Sequence, residues 1–140
     1  MTGTCICGAT EITIEDRPAF IHDCNCGLCR KTGAAWGYFT AAAVSITSTG
    51  TRVYERGDKM DPTAAIHSCP GCGATTHFTA SESYARQHPE ADQIGVNMKL
   101  FDPDQLTGVE VRYPDGKNWA GTGPFGYRRD SITVSQDLRW

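Results

Sequence analysis

The grouping of seven cysteines into three short clusters is the feature that most constrains this chain. The clusters are Cys5-Ile6-Cys7-Gly8, Cys24-Asn25-Cys26-Gly27-Leu28-Cys29 and Cys69-Pro70-Gly71-Cys72-Gly73. In a reducing compartment, clustered cysteines more often bind metal or take part in chemistry than form disulfides. The alternative is a secreted protein with three disulfides and one free thiol. We disfavour it because the spacings suit a metal and the N-terminal residues contain no apolar signal segment.

The first and third clusters each have the form of half a tetrahedral zinc site. In the third cluster, Pro70-Gly71 forms a turning spacer that brings both sulfurs to one side, and Gly73 can adopt a positive φ beneath a metal. Cys5 and Cys7 can likewise project to one side of an extended segment or tight turn. Such a closed structural site would contribute roughly 10 to 16 kcal/mol of apparent binding energy. Its predicted ligands are Cys5, Cys7, Cys69 and Cys72.

The second cluster leaves three thiolates, Cys24, Cys26 and Cys29, without a fourth cysteine. Structural zinc sites usually have four protein ligands, whereas catalytic sites keep one position for water or substrate. The sequence therefore favours a catalytic-type zinc at these three residues. Two alternatives stay open. A further ligand could close the site, or there is no second metal and the thiols are inert, redox-active or only weakly metallated. The candidates for a closing ligand are His22, Asp23, His67 and His77.

The adjacent cations Arg30 and Lys31 follow this cluster directly. They are either ordinary solvated charges or stabilise the net negative charge of a three-thiolate zinc centre. The same two side chains could bind the carboxylates of a substrate such as glutathione.

Turn residues separate short runs of β-type sequence along the whole chain, which predicts a mainly β protein with little helix. The predicted strands are 11–15, 36–40, 44–47, 51–55, 65–68, 94–100 and 132–134. A short helix is expected over 81–88 and a single helical turn over 102–106. Residues 1–140 are expected to form one domain, because no long polar linker divides them.

The charge distribution argues against several classes of partner. The net charge is -3 and the basic residues are dispersed apart from two adjacent pairs, so we expect no nucleic-acid partner. No stretch approaches the roughly 18 apolar residues of a membrane span, so we expect no membrane partner and a cytoplasmic protein. The oligomeric state cannot be read from these features.

The order and spacing of the cysteines, with Arg30-Lys31-Thr32-Gly33 directly after Cys29, resemble the glutathione-dependent formaldehyde-activating enzyme family, also called the centromere protein V-like family. Residues 94–102 and Leu106 also look like a later strand and turn of that family. The resemblance implies a β-tent fold with two zinc ions, one structural and one at the three-cysteine site. It also implies the condensation of glutathione with formaldehyde to S-hydroxymethylglutathione, formally a carbon-sulfur lyase reaction.

The leading hypothesis is thus a zinc-dependent carbon-sulfur lyase that acts on glutathione or a related small thiol. In it, the substrate thiol becomes the fourth ligand of the zinc held by Cys24, Cys26 and Cys29, which lowers the thiol pKa. The alternative hypothesis is a non-catalytic zinc module, either a thiol carrier or a protein-interaction scaffold. The two differ in whether a cavity beside the three cysteines admits a substrate.

Overall fold

The computed structural model describes all 140 residues and confirms a mainly β protein. Its eleven strands are β1 Thr2–Thr4, β2 Thr10–Ile14, β3 Phe20–His22, β4 Trp36–Thr40, β5 Val44–Ser48, β6 Arg52–Glu55, β7 Ala64–Ser68, β8 Thr75–Ala80, β9 Gln93–Asn97, β10 Glu110–Arg112 and β11 Ile132–Thr133. The helices are α1 Gly27–Thr32 and α2 Glu82–Gln87, with six residues each. Neither helix has the length and apolar character that a membrane span requires.

The strands form two sheets. The small sheet is antiparallel with the order β1-β2-β5, and the large sheet has the order β11-β10-β3-β4-β9-β8-β7-β6. Within the large sheet only β10 and β3 are parallel neighbours, with Val111 opposite Ile21. Parallel strands end at the same edge of a sheet. The segments that follow β3 and β10 therefore meet, although about 90 residues separate them in sequence.

The main core lies where the two sheets pack together. Strand β2 alternates strictly, with Ile12 and Ile14 buried and Glu11 exposed, as expected for a strand with one solvated face. These isoleucines belong to the same buried cluster as Ile21 and Val96 of the large sheet. A second, smaller cluster lies beneath the central cysteines and consists of Cys29, Ala34, Trp36 and Ile66.

Most of the predicted strands are confirmed to within one residue, namely those at 11–15, 36–40, 44–47, 51–55, 65–68 and 132–134. The prediction for 94–100 is wrong at its C-terminal end, because β9 ends at Asn97 and Met98–Leu100 form a 3₁₀ turn. The Asn97 side chain accepts a hydrogen bond from the Lys99 amide at 3.2 Å and so caps the turn. Such local capping competes with strand pairing.

The predicted helix and helical turn are also confirmed. Ser81 caps α2 by accepting a hydrogen bond from the Tyr84 amide, and Asp102 caps the 3₁₀ turn Pro103–Leu106 in the same manner. Four strands and one α-helix were not predicted from the sequence: β1, β3, β8, β10 and α1. Three of these are strands of only three residues, which are too short to show a periodic pattern.

Candidate metal centres and active-site cavities

Two turns bring the first and third cysteine clusters together. Cys5 and Cys7 lie in the turn that joins β1 to β2, and Cys69 and Cys72 lie in the turn that joins β7 to β8. All four sulfurs lie within 4.8 Å of one another. The Sγ atom of Cys7 lies 3.7 Å from that of Cys5 and 3.6 Å from that of Cys69. Tetrahedral zinc with bonds of about 2.3 Å separates its sulfurs by roughly 3.8 Å, so this arrangement fits a metal ion.

Backbone amides favour the thiolate form at this four-sulfur cluster. The Thr10 amide donates a hydrogen bond to Cys5 Sγ at 3.2 Å. The backbone N–H of Cys72, assisted by that of Gly71, lowers the pKa of the Cys69 thiol to about 6. The predicted positive φ of Gly73 is confirmed at 75°. Because the thiolate is the form that binds metal, these contacts suit a metal site.

The three remaining cysteines form a second sulfur cluster, again with all sulfurs within 4.8 Å of one another. Cys24 and Cys26 follow β3, and Cys29 lies on α1, whose N-cap is Cys26. The Cys29 amide donates to Cys26 Sγ at 3.5 Å, and the Trp36 indole N–H donates to Cys29 Sγ at 3.3 Å. Hydrogen bonds from the Cys24 and Cys29 thiols lower the pKa of Cys26, so negative charge is favoured on the central sulfur.

No histidine, carboxylate or further cysteine joins these three sulfurs within 4.8 Å. The four residues named as candidates for a fourth ligand have other neighbours. His22 Nδ1 lies 3.1 Å from the Tyr38 hydroxyl, and Asp23 pairs with Arg128 at 3.2 Å. His67 and His77 stack on each other in β7 and β8, with ring centroids 4.1 Å apart. The protein thus brings three potential metal ligands together and leaves one side of the cluster to a cavity.

The aromatic cavity, of about 430 Å³, is lined by all three of these cysteines. Its aromatic lining consists of His22, Trp36, Tyr38, Trp119 and Phe125. Burial, together with the negative potential of Cys29 and its neighbouring sulfurs, raises the pKa of Tyr38, so its hydroxyl stays protonated at neutral pH. His22 Nε2 is buried without a hydrogen-bond partner.

The cationic cavity, of about 510 Å³, also reaches Cys24 and Cys29. Four basic side chains line it: Arg30, Lys99, Lys117 and Arg128. The single carboxylate in the lining, Asp23, is already paired with Arg128. This cavity can therefore hold an anion next to the sulfurs.

The family model described as glutathione-dependent formaldehyde-activating enzyme matches residues 1–112, a range that contains every cysteine. The chain belongs to this family. Membership confirms the resemblance seen in the cysteine pattern and shows that the mainly β architecture is a β-tent. A crystal structure of a Rhodobacter sphaeroides protein is similar, with a TM-score of 0.57 and 28% identity, covering 78% of this chain and 97% of that chain. No curated protein matches the chain significantly.

The two cations that the sequence predicted to bind substrate line different cavities. Arg30 lines the cationic cavity, whereas Lys31 lines a separate cavity beside Tyr54 and Arg56. Consecutive residues of an α-helix point about 100° apart, which accounts for the positions of Arg30 and Lys31 in different cavities. Lys99, Lys117 and Arg128 join Arg30 instead, and sequence reasoning did not single out any of these three.

Beyond the region matched by the family model, residues 114–127 form a loop over the three-sulfur cluster; we call it the covering loop. Asn25 holds this loop, because its Nδ2 donates to Asp115 at 2.7 Å and its Oδ1 accepts from the Lys117 amide at 2.9 Å. Gly116 contacts the cluster so closely that a Cβ there would overlap Cys24 Sγ. The only local signal for this role was the polar Asn25 between two cysteines, because its partners come from a distant part of the sequence.

Proposed function

We propose that this protein is a zinc-dependent carbon-sulfur lyase that forms or cleaves hydroxyalkyl adducts of a small anionic thiol, with glutathione as the first choice. The observation that carries the proposal is a cluster of three sulfurs that has no fourth protein ligand and faces two cavities. Membership of the glutathione-dependent family supports a thiol partner.

The two sulfur clusters would hold one zinc ion each, with different roles. Cys5, Cys7, Cys69 and Cys72 supply a complete tetrahedral set, which suits a structural ion. Cys24, Cys26 and Cys29 supply three ligands, which suits a catalytic-type ion. Bound there, zinc would supply Lewis acidity that lowers the pKa of a substrate thiol at the fourth position.

The cationic cavity would orient the thiol. Glutathione carries two carboxylates, and charge-assisted hydrogen bonds from guanidinium and ammonium groups are the strong kind. Arg30 and Lys99 line this cavity, and neither makes an ion pair within the chain. They are therefore available to a ligand that reaches Cys24 and Cys29 with its sulfur.

Tyr38 would donate a hydrogen bond to the carbonyl oxygen of the aldehyde. It lines the aromatic cavity together with the three cysteines, and its raised pKa keeps the hydroxyl proton in place at neutral pH. When a thiol adds to a carbonyl, negative charge develops on the oxygen, and a fixed O–H donor stabilises that charge. In the tautomer whose Nδ1 carries the proton, the neighbouring His22 ring donates a hydrogen bond of 3.1 Å to the Tyr38 oxygen and leaves the hydroxyl proton free for the substrate.

Binding through sulfur is tested by comparing glutathione with S-methylglutathione in calorimetric titrations of the zinc-loaded protein. The analogue keeps both carboxylates but offers only a thioether, a poor zinc ligand with no proton to lose. We expect its affinity to be lower by at least about tenfold. The affinity for glutathione should rise with pH as the thiol ionises, and this dependence should vanish in Cys26→Ala. Equal affinities for the two compounds would contradict the proposal.

A second measurement separates an enzyme from a thiol carrier. Glutathione and formaldehyde combine rapidly without a catalyst, so exchange between the free compounds and the adduct is followed by NMR. We expect the wild-type protein to accelerate this exchange and Cys26→Ala to leave it at the uncatalysed rate. Binding of glutathione without any acceleration would indicate a carrier.

A further inference from the structure

The two cavities at the three-sulfur cluster differ in chemistry. The cationic cavity has four basic side chains and suits the anionic portion of a thiol such as glutathione. The aromatic cavity is lined by the rings of Trp36, Tyr38, Trp119 and Phe125. Its basic side chains are Arg56, which is already paired with Asp58 through two hydrogen bonds of 2.6 Å each, Lys59, and Lys117, which lines the cationic cavity as well. Of the two cavities only this one is lined by aromatic rings, which suit an apolar group that lies close to the reacting sulfur.

The aromatic cavity is also too large for formaldehyde alone. A molecule of two heavy atoms occupies roughly the volume of one or two waters, about 30 to 60 Å³. The cavity measures about 430 Å³, within the usual range for sites that enclose whole organic ligands. With the anionic thiol in the cationic cavity, most of this space remains for the carbonyl compound.

The covering loop supplies part of this aromatic wall. Trp119 and Phe125 pack together with ring centroids 4.6 Å apart, and Phe125 and His22 are in a T-shaped arrangement with centroids 5.8 Å apart. The Trp119 indole N–H donates to the Gly123 carbonyl at 3.0 Å, which fixes the ring within the loop. Both rings lie outside residues 1–112, the region matched by the family model. They are features of this chain rather than of the matched region.

We propose that the natural carbonyl partner is an aldehyde larger than formaldehyde, with an aromatic or branched apolar substituent that lies against Trp119 and Phe125. This inference rests on the proposed function and names its substrate class. In the reaction the thiol sulfur bonds to the carbonyl carbon, the C=O double bond becomes a single bond, and the thiol proton ends on the oxygen. Nothing is oxidised or reduced, and the reverse reaction releases thiol and aldehyde.

The test uses stable thioether analogues of the adduct, S-benzylglutathione and S-methylglutathione, in calorimetric titrations of the zinc-loaded full chain. Both compounds lack a thiol, so they differ only in the group that would enter the aromatic cavity. We expect S-benzylglutathione to bind at least about tenfold more tightly, since burial of a phenyl ring is worth at least one power of ten in affinity. A difference below twofold, including no measurable binding of either compound, overturns the inference.

Variants of the covering loop test whether Trp119 and Phe125 cause the preference for the benzyl compound. In the double variant Trp119→Ala/Phe125→Ala the advantage of the benzyl compound should fall below twofold. The matched control is Tyr127→Ala, which removes an exposed ring from the same loop that does not line the aromatic cavity. The control should keep the full advantage, and thermal melting verifies that each variant is folded. Persistence of the benzyl preference in the double variant would overturn the inference.

Unmodified glutathione separates this inference from the function on which it rests. If glutathione binds through its sulfur but the benzyl group gives no advantage, the lyase proposal stands and the larger aldehyde is wrong. If glutathione and S-methylglutathione bind equally, the lyase proposal itself fails.

Discussion

The two sulfur clusters have similar surroundings but different ligand counts. Both receive backbone N–H···S hydrogen bonds, and each has a glycine against a sulfur, Gly71 at Cys7 and Gly116 at Cys24. The four-sulfur cluster joins two turns whose cysteines Cys7 and Cys69 are 62 residues apart, and none of its cysteines lines the aromatic or cationic cavity. The three-sulfur cluster spans six residues and faces both cavities. A complete set of protein ligands suits a role in stability, and an incomplete set beside a cavity suits chemistry.

The largest expected effect comes from breaking the four-sulfur cluster. Cys69→Ala should prevent accumulation of folded protein, because a structural zinc site contributes roughly 10 to 16 kcal/mol, as much as the net stability of a domain. Soluble yield and circular dichroism measure the outcome. A folded Cys69→Ala protein with an unchanged melting temperature would remove the structural role of this cluster.

The corresponding change in the other cluster should have a much smaller effect on stability. Cys26→Ala should lower the zinc content from two ions towards one and leave the fold intact, at a cost of about 1 kcal/mol for the lost N-cap of α1. Metal analysis and thermal melting check both parts. Unfolding comparable to that of Cys69→Ala would contradict the division of roles, as would a single zinc ion in wild-type protein that has never been stripped of metal.

The two glycines allow a matched substitution at each cluster. In Gly71→Ala the new Cβ would lie 3.2 Å from Cys7 Sγ, which should cost about 1 kcal/mol of stability through overpacking. In Gly116→Ala the Cβ would overlap Cys24 Sγ, so the covering loop should shift away from the sulfurs. We expect Gly116→Ala to weaken binding of S-benzylglutathione several-fold and to change the melting temperature less than Gly71→Ala. The reverse order of effects would contradict the comparison.

The last expected effect is absent at neutral pH and concerns the hairpin that links the two regions. The Cys69–Cys72 turn joins strands β7 and β8, and Phe78 of β8 packs on Trp36 at the three-sulfur cluster. Burial, with the adjacent His67, lowers the pKa of His77 from 6.5 to about 4. The unfolded chain therefore binds more protons than the folded one between these values. The contribution of neutral His77 to the free energy of unfolding is therefore fully present above pH 6.5 and is lost as the pH falls towards 4.

His77→Gln should remove this loss. Between pH 7.5 and pH 5, the free energy of unfolding should fall by about 2 kcal/mol less in the variant than in wild type. This figure follows from about 1.4 kcal/mol per pH unit of pKa shift. Denaturant unfolding at both pH values measures the difference, and loss of metal in acid is common to both proteins. Parallel pH profiles for variant and wild type would show that His77 is not responsible.

The spacing of the cysteines was enough to predict the sulfur clusters. A CxC and a CxxC with turn residues each bring two sulfurs together within a few residues, so the half-sites follow from local geometry. The strands at 36–40 and 65–68 could also be predicted locally, because each is a run of β-type residues between turn residues. Arg30 and Lys31 show the limit of such reasoning. They are adjacent in sequence, but the pitch of α1 directs them into different cavities.

The sequence by itself determined the family, the β-tent class and the grouping of the cysteines into four and three, because each depends on residue types at short, fixed spacings. Only the tertiary structure decided which groups surround the three sulfurs. Trp36, Tyr38 and Lys99 reach that cluster through sheet packing and the turn after β9, and the covering loop reaches it through the parallel pairing of β3 with β10. Contacts of this kind depend on the order in which strands that are distant in sequence pair with one another, which no local pattern encodes.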